Sequence, residues 1–202
     1  MRLIAENLCG ERGGRRVFSD IGFSLGAGEA LVVTGANGAG KSTLLRVLAG
    51  LLPAASGRAI VEGGGEDFPT VASAAHYLGH LNAMKPVLSV AENLAFWRSF
   101  SGADAPIETA LEAVGLCGIA HLPYGYLSTG QKRRAAIARL LVSRRPAWLL
   151  DEPTAGLDAE SARQLSSLMV RHREEGGMII AATHLPLGLE RALELTMGGE
   201  DA

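Results

Sequence analysis

The sequence has little cysteine and no long apolar segment. Its two cysteines, Cys9 and Cys117, form neither a CxxC pair nor a zinc-binding spacing, which favours a reducing compartment. The first residues, MRLIAEN, lack the apolar stretch of a secretory signal. Apolar runs such as LLV and MIIAA fall far short of the roughly 20 residues that span a bilayer. We therefore expect the chain to reach a membrane only through a partner.

The charge balance is nearly even, with 19 basic and 21 acidic residues and a formal net charge of −2. Such a chain lacks the overall basic field that attracts nucleic acid, so we expect no nucleic-acid partner. Apolar residues make up 48% of the 202 residues and charged residues 20%, as in ordinary globular proteins. This length predicts one domain, with or without a sizeable insertion, that buries a core without metals or disulfides.

Apolar runs and helical spacing alternate along much of the chain. Residues 30–34 (ALVVT), 147–150 (AWLL) and 178–183 (MIIAAT) are apolar stretches that are typical of strands buried on both faces. Residues 41–52 (KSTLLRVLAGLL) and 159–175 (AESARQLSSLMVRHREE) have helical patterns, and Gly176-Gly177 ends the second one. Strands that alternate with helices predict an α/β fold with a mostly parallel sheet covered on both faces.

Two regions depart from this alternation. Near the N-terminus, LIAENL and IGFSL are short strand-like pieces around a Gly/Arg loop, which predicts an antiparallel β flap. Residues 88–145 have several helical patterns and no convincing strand, which predicts a helical insertion. We therefore expect one domain over residues 1–202, with a core at about 1–82 and 146–202 and a helical subdomain at about 83–145.

A glycine-rich loop follows the first buried strand. Residues 35–42, GANGAGKS, match the phosphate-binding pattern GxxxxGK[ST] between a predicted strand and a predicted helix. Glycines let the backbone N–H groups face phosphate oxygens, and the helix N-terminus adds positive charge. Lys41 is placed to reach the β- and γ-phosphates and Ser42 to bind Mg²⁺. The alternative is a chance turn. The predicted nucleotide-binding residues are Gly35, Ala36, Asn37, Gly38, Ala39, Gly40, Lys41, Ser42 and Thr43.

Acidic and histidine side chains follow the other two buried strands. Asp151 and Glu152 end the run AWLLDEP, and strand alternation would turn Asp151 toward Mg²⁺ and Glu152 toward an attacking water. Their alternative is a solvated turn before Pro153. His184 follows MIIAAT, where sheets of this kind bind ligands. We favour a γ-phosphate contact for it over a packed or surface histidine.

The segment LSTGQ at residues 127–131 precedes another helical pattern, KRRAAIARLLV. Ser128 is the expected N-cap. Lys132, Arg133 and Arg134 place positive charge in the first turn, which is unfavourable with the helix dipole. An anion at that end would relieve the conflict. The alternative is that these side chains point into water, and we expect this for the arginines.

Five motifs together resemble those of ABC ATPases: GANGAGKS, LSTGQ, LLDEP, AGLD at residues 155–158, and His184. LSTGQ is similar to the family signature LSGGQ, with Thr129 in place of a glycine. The resemblance covers essentially the whole chain. It implies a P-loop NTPase fold, ATP and Mg²⁺ as ligands, and a head-to-tail dimer with Asp158 as the D-loop residue at its interface. The signature facing the partner's ATP would comprise Leu127, Ser128, Thr129, Gly130 and Gln131, with Ser128 and Gly130 touching the γ-phosphate that Lys41 of the other subunit holds.

Longer stretches are similar to one branch of this family, the ATP-binding subunits of bacterial cytochrome c maturation systems, also described as haem exporter ATPases. These stretches are LCGERGGRRVF, YLGHLNAMK, AENLAFW, YLSTGQKRRAAIARLLVS and PAWLLDEPTAGLD. The resemblance implies a homodimer bound to integral membrane subunits at the cytoplasmic face of the inner membrane. No CxxCH occurs and the histidines form no obvious haem site, so we expect haem to be handled only by the partners.

Two positions depart from the general family pattern. The Q-loop position, usually glutamine, is His80, and a neutral imidazole is a poorer ligand for Mg²⁺ than an amide oxygen. We expect His80 to act through water or to contact the partner. The aromatic residue that usually stacks on adenine falls near Arg12, in a flap without Tyr or Trp. A guanidinium can stack on a base, so we expect Arg12 to contact it and base selectivity to be loose.

Other functions compete with that of an ATPase for cytochrome c maturation. Relatives in translation usually carry two ATPase units and relatives in DNA repair a long coiled coil, and this chain has neither. Glu152 and His184 argue against a module that binds without hydrolysis. An ABC ATPase for another substrate is the strongest competitor, and Arg12 and His80 are the positions that discriminate.

Overall fold

The computed structural model describes residues 1–103 and 105–198. Within them the elements are β1 (Arg2–Arg12), β2 (Arg15–Gly26), β3 (Ala30–Gly35), α1 (Lys41–Leu48), β4 (Ser56–Glu62), α2 (Val71–Ala74), β5 (Ala75–Leu78), α3 (Val90–Phe100), α4 (Ile107–Ala113), a 3-10 turn (Tyr124–Tyr126), α5 (Thr129–Val142), β6 (Ala147–Asp151), α6 (Ala159–Glu174), β7 (Met178–Ala182) and β8 (Leu193–Met197).

The larger sheet has five strands in the order β5-β6-β7-β3-β8, and every neighbouring pair is parallel. Every residue of β6 and β7 is buried, as expected for central strands covered on both faces. The strands predicted from the three apolar runs are confirmed as β3, β6 and β7. The outer strands β5 and β8, which were not predicted, complete the sheet.

The smaller sheet has the order β2-β1-β4 and is antiparallel. It confirms the antiparallel flap predicted near the N-terminus, and it adds β4 as a third strand. The tight connection between β1 and β2 leaves Arg12 opposite Arg15 in the last pair of the register.

Helix α1 is shorter than the sequence analysis predicted, since it ends at Leu48 instead of residue 52. Gly50 has φ +70, a left-handed conformation that glycine adopts without steric cost. Its N–H donates to Val47 O, and the N–H of Leu51 donates to Arg46 O. This pair of bonds is the Schellman arrangement, which satisfies the last carbonyls and stops the helix.

The chain divides into two compact units. The first comprises residues 1–79 and 146–153 and the described chain from Met169 onward; the second comprises residues 80–145 and 154–168, apart from residue 104. The boundaries at 83 and 145 that the sequence analysis gave for a helical subdomain stay a prediction.

The core of the first unit joins both of its sheets through α1. Fully or nearly fully buried aliphatic side chains of α1 cluster with those of β1, β2 and the parallel sheet. Burial of one such side chain contributes about 1.5–3 kcal/mol. Members of this cluster include Leu3, Leu8, Leu25, Leu31, Val33, Leu44, Leu45, Leu48, Leu149 and Ile180.

The second unit contains α3, α4 and α5, and two of these helices begin with the same device. Ser89 caps α3 by accepting from the Glu92 N–H, while Glu92 accepts from the Ser89 N–H. This reciprocal pairing satisfies two backbone donors that the first turn would leave unpaired. Across residues 1–103 and 105–198, no helix combines the length and apolar character needed to cross a membrane.

Candidate active site

The glycine-rich loop lies between β3 and α1, and hydrogen bonds from the Lys41 side chain hold its backbone in place. The Lys41 side chain is buried, and its Nζ donates to Gly35 O at 2.7 Å and to Ala36 O at 2.9 Å. Gly40 precedes α1 with φ +95, and in the described chain no side chain caps that end of the helix. The first N–H groups of α1 therefore remain directed at whatever the loop encloses, an arrangement suited to an anion.

Gly35 cannot be replaced without distortion. It ends β3 with φ +131, and a Cβ built there would overlap the carbonyl oxygen of Met197 on the neighbouring strand β8. The loop thus leaves the sheet through a point where two backbones approach closely, which only glycine permits.

Hydrogen bonds reach both carboxylate oxygens of Asp151. Ser42 Oγ, at the start of α1, donates to Oδ1 at 2.8 Å, and the Tyr77 hydroxyl donates to Oδ2 at 3.1 Å. Arg46 Nε donates to the Tyr77 oxygen at 3.4 Å. Burial raises the pKa of Tyr77, and the nearby Asp151 charge adds to this against the opposing Arg46. The structure therefore places Ser42 and Asp151 side by side, and it adds Tyr77, which the sequence analysis missed.

His184 lies among three polar groups of the site. Its Nε2 is 3.1 Å from Lys41 Nζ, 3.0 Å from Asn37 Oδ1 and 3.7 Å from Glu152 Oε1. The same ring nitrogen thus faces an ammonium donor and two oxygen acceptors, so its hydrogen-bonding role depends on the tautomer of the ring. His184 and Glu152 keep 46% and 39% of their side chains exposed, which leaves both accessible to a ligand.

The direction of Glu152 does not follow from strand alternation. Strand β6 ends at Asp151, and Glu152 has φ +44, in the left-handed region. Its backbone N–H donates to Ala182 O of β7 at 2.9 Å. The expectation that strand alternation turns Glu152 is therefore wrong, because Glu152 lies in a turn beyond the end of the strand. A non-glycine residue in this conformation is uncommon and often belongs to a functional site.

Ser128 caps α5, as predicted. Its Oγ accepts from the Gln131 N–H at 3.2 Å, and its own N–H donates to Gln131 Oε1 at 2.9 Å. Ser128 and Thr129 are exposed. A Cβ on Gly130 would lie 3.3 Å from Gly156 O, so this turn also packs tightly against the AGLD segment. The start of α5 is therefore rigid while its capping residue stays accessible.

The prediction that Arg133 and Arg134 mostly point into water is wrong. Arg133 is only 5% exposed, and its Nη1 donates to Asn82 Oδ1 at 3.4 Å. Arg134 Nη1 donates to Gly115 O at 2.9 Å and to Val114 O at 3.2 Å. These two carbonyls follow the C-terminal end of α4, where unpaired backbone oxygens attract a cation. Hydrogen bonds within the protein therefore engage both guanidinium groups.

The remaining candidates lie at the ends of elements. Asp158 Oδ1 accepts from the Ser161 N–H at 2.8 Å at the start of α6, and this bond lowers the pKa of Asp158. His80 follows β5 after one residue and is exposed. Arg12 is exposed at the tip of the flap. The first unit thus brings Lys41, Ser42, Asp151, Glu152 and His184 together, whereas His80, Asp158 and residues 127–131 belong to the second.

Comparison with known proteins adds to this geometry. Residues 18–155 match the family described as ABC transporter. The chain is 68% identical over 199 residues to the cytochrome c biogenesis ATP-binding export protein CcmA of Mesorhizobium japonicum, covering 98% of each chain. It is 59% identical over 200 residues to the protein of the same name from Brucella melitensis, covering 98% of this chain and 93% of the relative.

Solved structures share the fold. An ATP-binding subunit of an ABC transporter superposes with a TM-score of 0.86 at 23% identity, over 98% of this chain and 86% of that one. A bacterial Atm1-family ABC exporter with ATP bound superposes with a TM-score of 0.79 at 25% identity, over 98% of this chain and 37% of that one.

Proposed function

The chain belongs to the ABC transporter family, and from this premise we propose that it is the ATP-hydrolysing subunit of a membrane complex that matures c-type cytochromes. Family membership makes the chain an ATPase that binds nucleotide. The observation that carries the biological assignment is 68% identity, over 98% of both chains, to a relative named as a cytochrome c biogenesis ATP-binding export protein. Identity of this extent leaves little room for a different substrate.

Residues 35–43 are the proposed phosphate site. The loop backbone and the start of α1, which has no side-chain cap, would supply N–H donors to the phosphate oxygens. Lys41 now donates to two loop carbonyls, and it would exchange these bonds for contacts with the β- and γ-phosphates. Arg12, at the exposed tip of the flap, is the proposed contact for the base.

The residues present suit Mg²⁺, which prefers hard oxygen ligands. Ser42 Oγ and Asp151 Oδ1 already converge within 2.8 Å. In the described parts of the chain, no group of three His, Cys, Asp or Glu side chains could hold a metal by itself. Ser42 would therefore bind the ion together with the nucleotide's phosphates, and Asp151 would hold it directly or through water. Bound there, the ion would neutralise phosphate charge.

Glu152 is the proposed catalytic base. Its exposed carboxylate lies at the end of β6, one residue beyond Asp151. It would orient the attacking water and accept its proton as the terminal phosphate separates from ADP. His184, 3.1 Å from Lys41 Nζ, would also contact the γ-phosphate. Hydrogen-bond donors placed around that phosphate would stabilise the negative charge of the transition state.

A second copy of the chain would complete each site. The capped and exposed start of α5, at Ser128, presents backbone N–H groups that suit an anion. We place the partner subunit's γ-phosphate against Ser128 and Gly130, with Asp158 at the same interface. Hydrolysis would then require a head-to-tail homodimer.

Exposed apolar side chains of the second unit support the proposal of a membrane partner. On α3, Phe96 and Phe100 are 51% and 67% exposed and stack on each other. Leu81, Val87 and Tyr126 are more than 80% exposed. Apolar side chains of this size in one region mark an interaction site more often than free surface. We propose that the integral membrane subunits dock here and that His80, next to Leu81, senses them.

This docking would hold the chain at the cytoplasmic face of the inner membrane as a peripheral subunit. Haem, if it is moved, would be handled by the membrane subunits, and ATP hydrolysis would drive their conformational step.

A test in the source bacterium compares membrane retention of tagged chains at native expression. We expect the wild type to stay with washed membranes and the double variant Phe96→Asp, Phe100→Asp to be released. The matched control is Leu51→Asp, which changes a side chain of the first unit that is 60% exposed and should be retained. All three purified proteins should keep basal ATPase activity. Retention of the double variant would refute this docking surface.

A further inference from the structure

We propose that Tyr77 is a positioning residue, whose hydroxyl holds the Asp151 carboxylate in the orientation that presents Oδ1 to Ser42 and the metal. This inference rests on the proposed function of Asp151. The contact joins β5 to the end of β6 and is made within the first unit.

The two oxygens of Asp151 have separate partners. Oδ1 accepts from Ser42 and Oδ2 accepts from Tyr77. A carboxylate held through one oxygen can still rotate about its Cβ–Cγ bond, because that terminal torsion is soft. Bonds on both oxygens fix the carboxylate plane. When Ser42 turns to the metal, the Tyr77 bond to Oδ2 would remain and keep Oδ1 in place.

The Tyr77 hydroxyl is itself directed. Arg46 Nε donates to its oxygen at 3.4 Å, so the single hydroxyl proton is left for Asp151. Arg46 lies on α1, one turn after Ser42. Helix α1, which carries Ser42, thus also orients Tyr77, the other hydrogen-bond donor to Asp151.

The ring of Tyr77 has little freedom to leave. Tyr77 pairs with Leu149 in the parallel sheet. A Cβ on Gly79 would lie 2.6 Å from both Cε1 and the hydroxyl oxygen of Tyr77. The ring therefore lies directly against the backbone of residue 79, where glycine makes room for it. A supporting side chain confined in this way can set the angle of a ligand, as outer-shell groups do in metal sites.

A purely structural role for the ring is the competing explanation, and Tyr77→Phe separates the two because it keeps the ring and removes only the hydroxyl. The readout is the affinity for ATP with EDTA and with Mg²⁺, by calorimetry. We expect ATP affinity in EDTA to match the wild type and the gain in affinity on adding Mg²⁺ to fall about three- to tenfold, since bonds to charged groups are among the stronger ones. The Mg²⁺ concentration for half-maximal hydrolysis should rise, with KM for Mg-ATP at saturating Mg²⁺ little changed.

The matched control is Ser167→Ala, which likewise removes one hydroxyl, at an exposed side chain of α6 in the second unit. It should behave as the wild type. In an Asp151→Ala background, Tyr77→Phe should not change the gain in ATP affinity on adding Mg²⁺ any further. Tyr77 is proposed to act on the metal through Asp151, and this variant lacks the Asp151 carboxylate.

The inference would be overturned if the ATP affinity of Tyr77→Phe rose on adding Mg²⁺ as much as that of the wild type. It would also be overturned if Tyr77→Phe lost ATP affinity equally in EDTA and in Mg²⁺, which would indicate a structural role. A wild-type protein whose ATP affinity ignores Mg²⁺ would overturn the proposed metal site itself, and the inference with it.

Discussion

His184 Nε2 lies 3.7 Å from Glu152 Oε1, although the two residues follow different strands. Glu152 comes directly after β6 and His184 two residues after β7, and β6 and β7 are parallel neighbours. The carboxyl ends of adjacent parallel strands meet at one edge of a sheet, where open α/β sheets bind their ligands. The pairing of strands thus brings the proposed base and the proposed γ-phosphate contact together.

Glu152→Gln should keep ATP binding and lose turnover by about 100-fold or more, because the amide cannot accept the proton of the attacking water. It should also trap an ATP-bound dimer, seen by size-exclusion chromatography. Phosphate release at saturating ATP measures turnover. Glu190→Gln, at an exposed residue of the same unit, is the control. Equal turnover in Glu152→Gln and wild type would rule out Glu152 as the base.

Gly35→Ala and Gly38→Ala should differ in stability. At Gly38, φ is +85 and nothing lies within 4 Å of an added Cβ, so we expect a cost of about 1 kcal/mol from the left-handed backbone alone. At Gly35 the methyl also overlaps the Met197 carbonyl, and the loss should be larger by about 2 kcal/mol or more. Chemical denaturation measures both. Equal losses would mean that the close approach of β3 and β8 does not restrain the loop.

Ser128→Arg should leave nucleotide binding by the monomer intact and abolish dimerisation induced by ATP, because a long side chain would occupy the place of the partner's phosphate. Mixing it with Lys41→Ala should restore at most one working site. Sedimentation velocity with ATP measures the dimer, and Ser167→Arg on the exposed part of α6 is the control. Normal dimers for Ser128→Arg would contradict the composite site.

Base selectivity should be loose, because Arg12 is exposed at the flap tip and the flap has no Tyr or Trp. GTP should compete with ATP within about tenfold, which corresponds to roughly 1.4 kcal/mol. Competition binding against a fluorescent ATP analogue measures this ratio. A preference for ATP of several hundredfold would instead require a base contact other than Arg12.

Features that depend on local sequence could be predicted. Buried strands β3, β6 and β7 are continuous apolar runs, and the cap of α5 needs only Ser128 and Gln131 in the right spacing. The glycine-rich loop is also local, so the start of α1 directly after it could be predicted from one motif.

Features that depend on pairing between distant segments could not be predicted from the sequence. Strand β8 (LELTM) has mostly exposed residues and is held by its pairing with β3, more than 150 residues earlier. Tyr77 gains its role from Asp151, 74 residues later. Arg133 is buried and donates a hydrogen bond to Asn82, 51 residues earlier. In each case the partner lies outside any window in which periodicity or capping can be detected.

Covalent haem staining of c-type cytochromes, in a strain that lacks this gene, tests the central claim most directly. We expect the deletion strain to lack stained c-type cytochromes while other haem proteins stay normal. The wild-type gene should restore staining and Glu152→Gln should not, although its protein accumulates to the same level. Normal c-type cytochromes in the deletion strain, or full restoration by Glu152→Gln, would contradict the claim that ATP hydrolysis at this site drives their maturation.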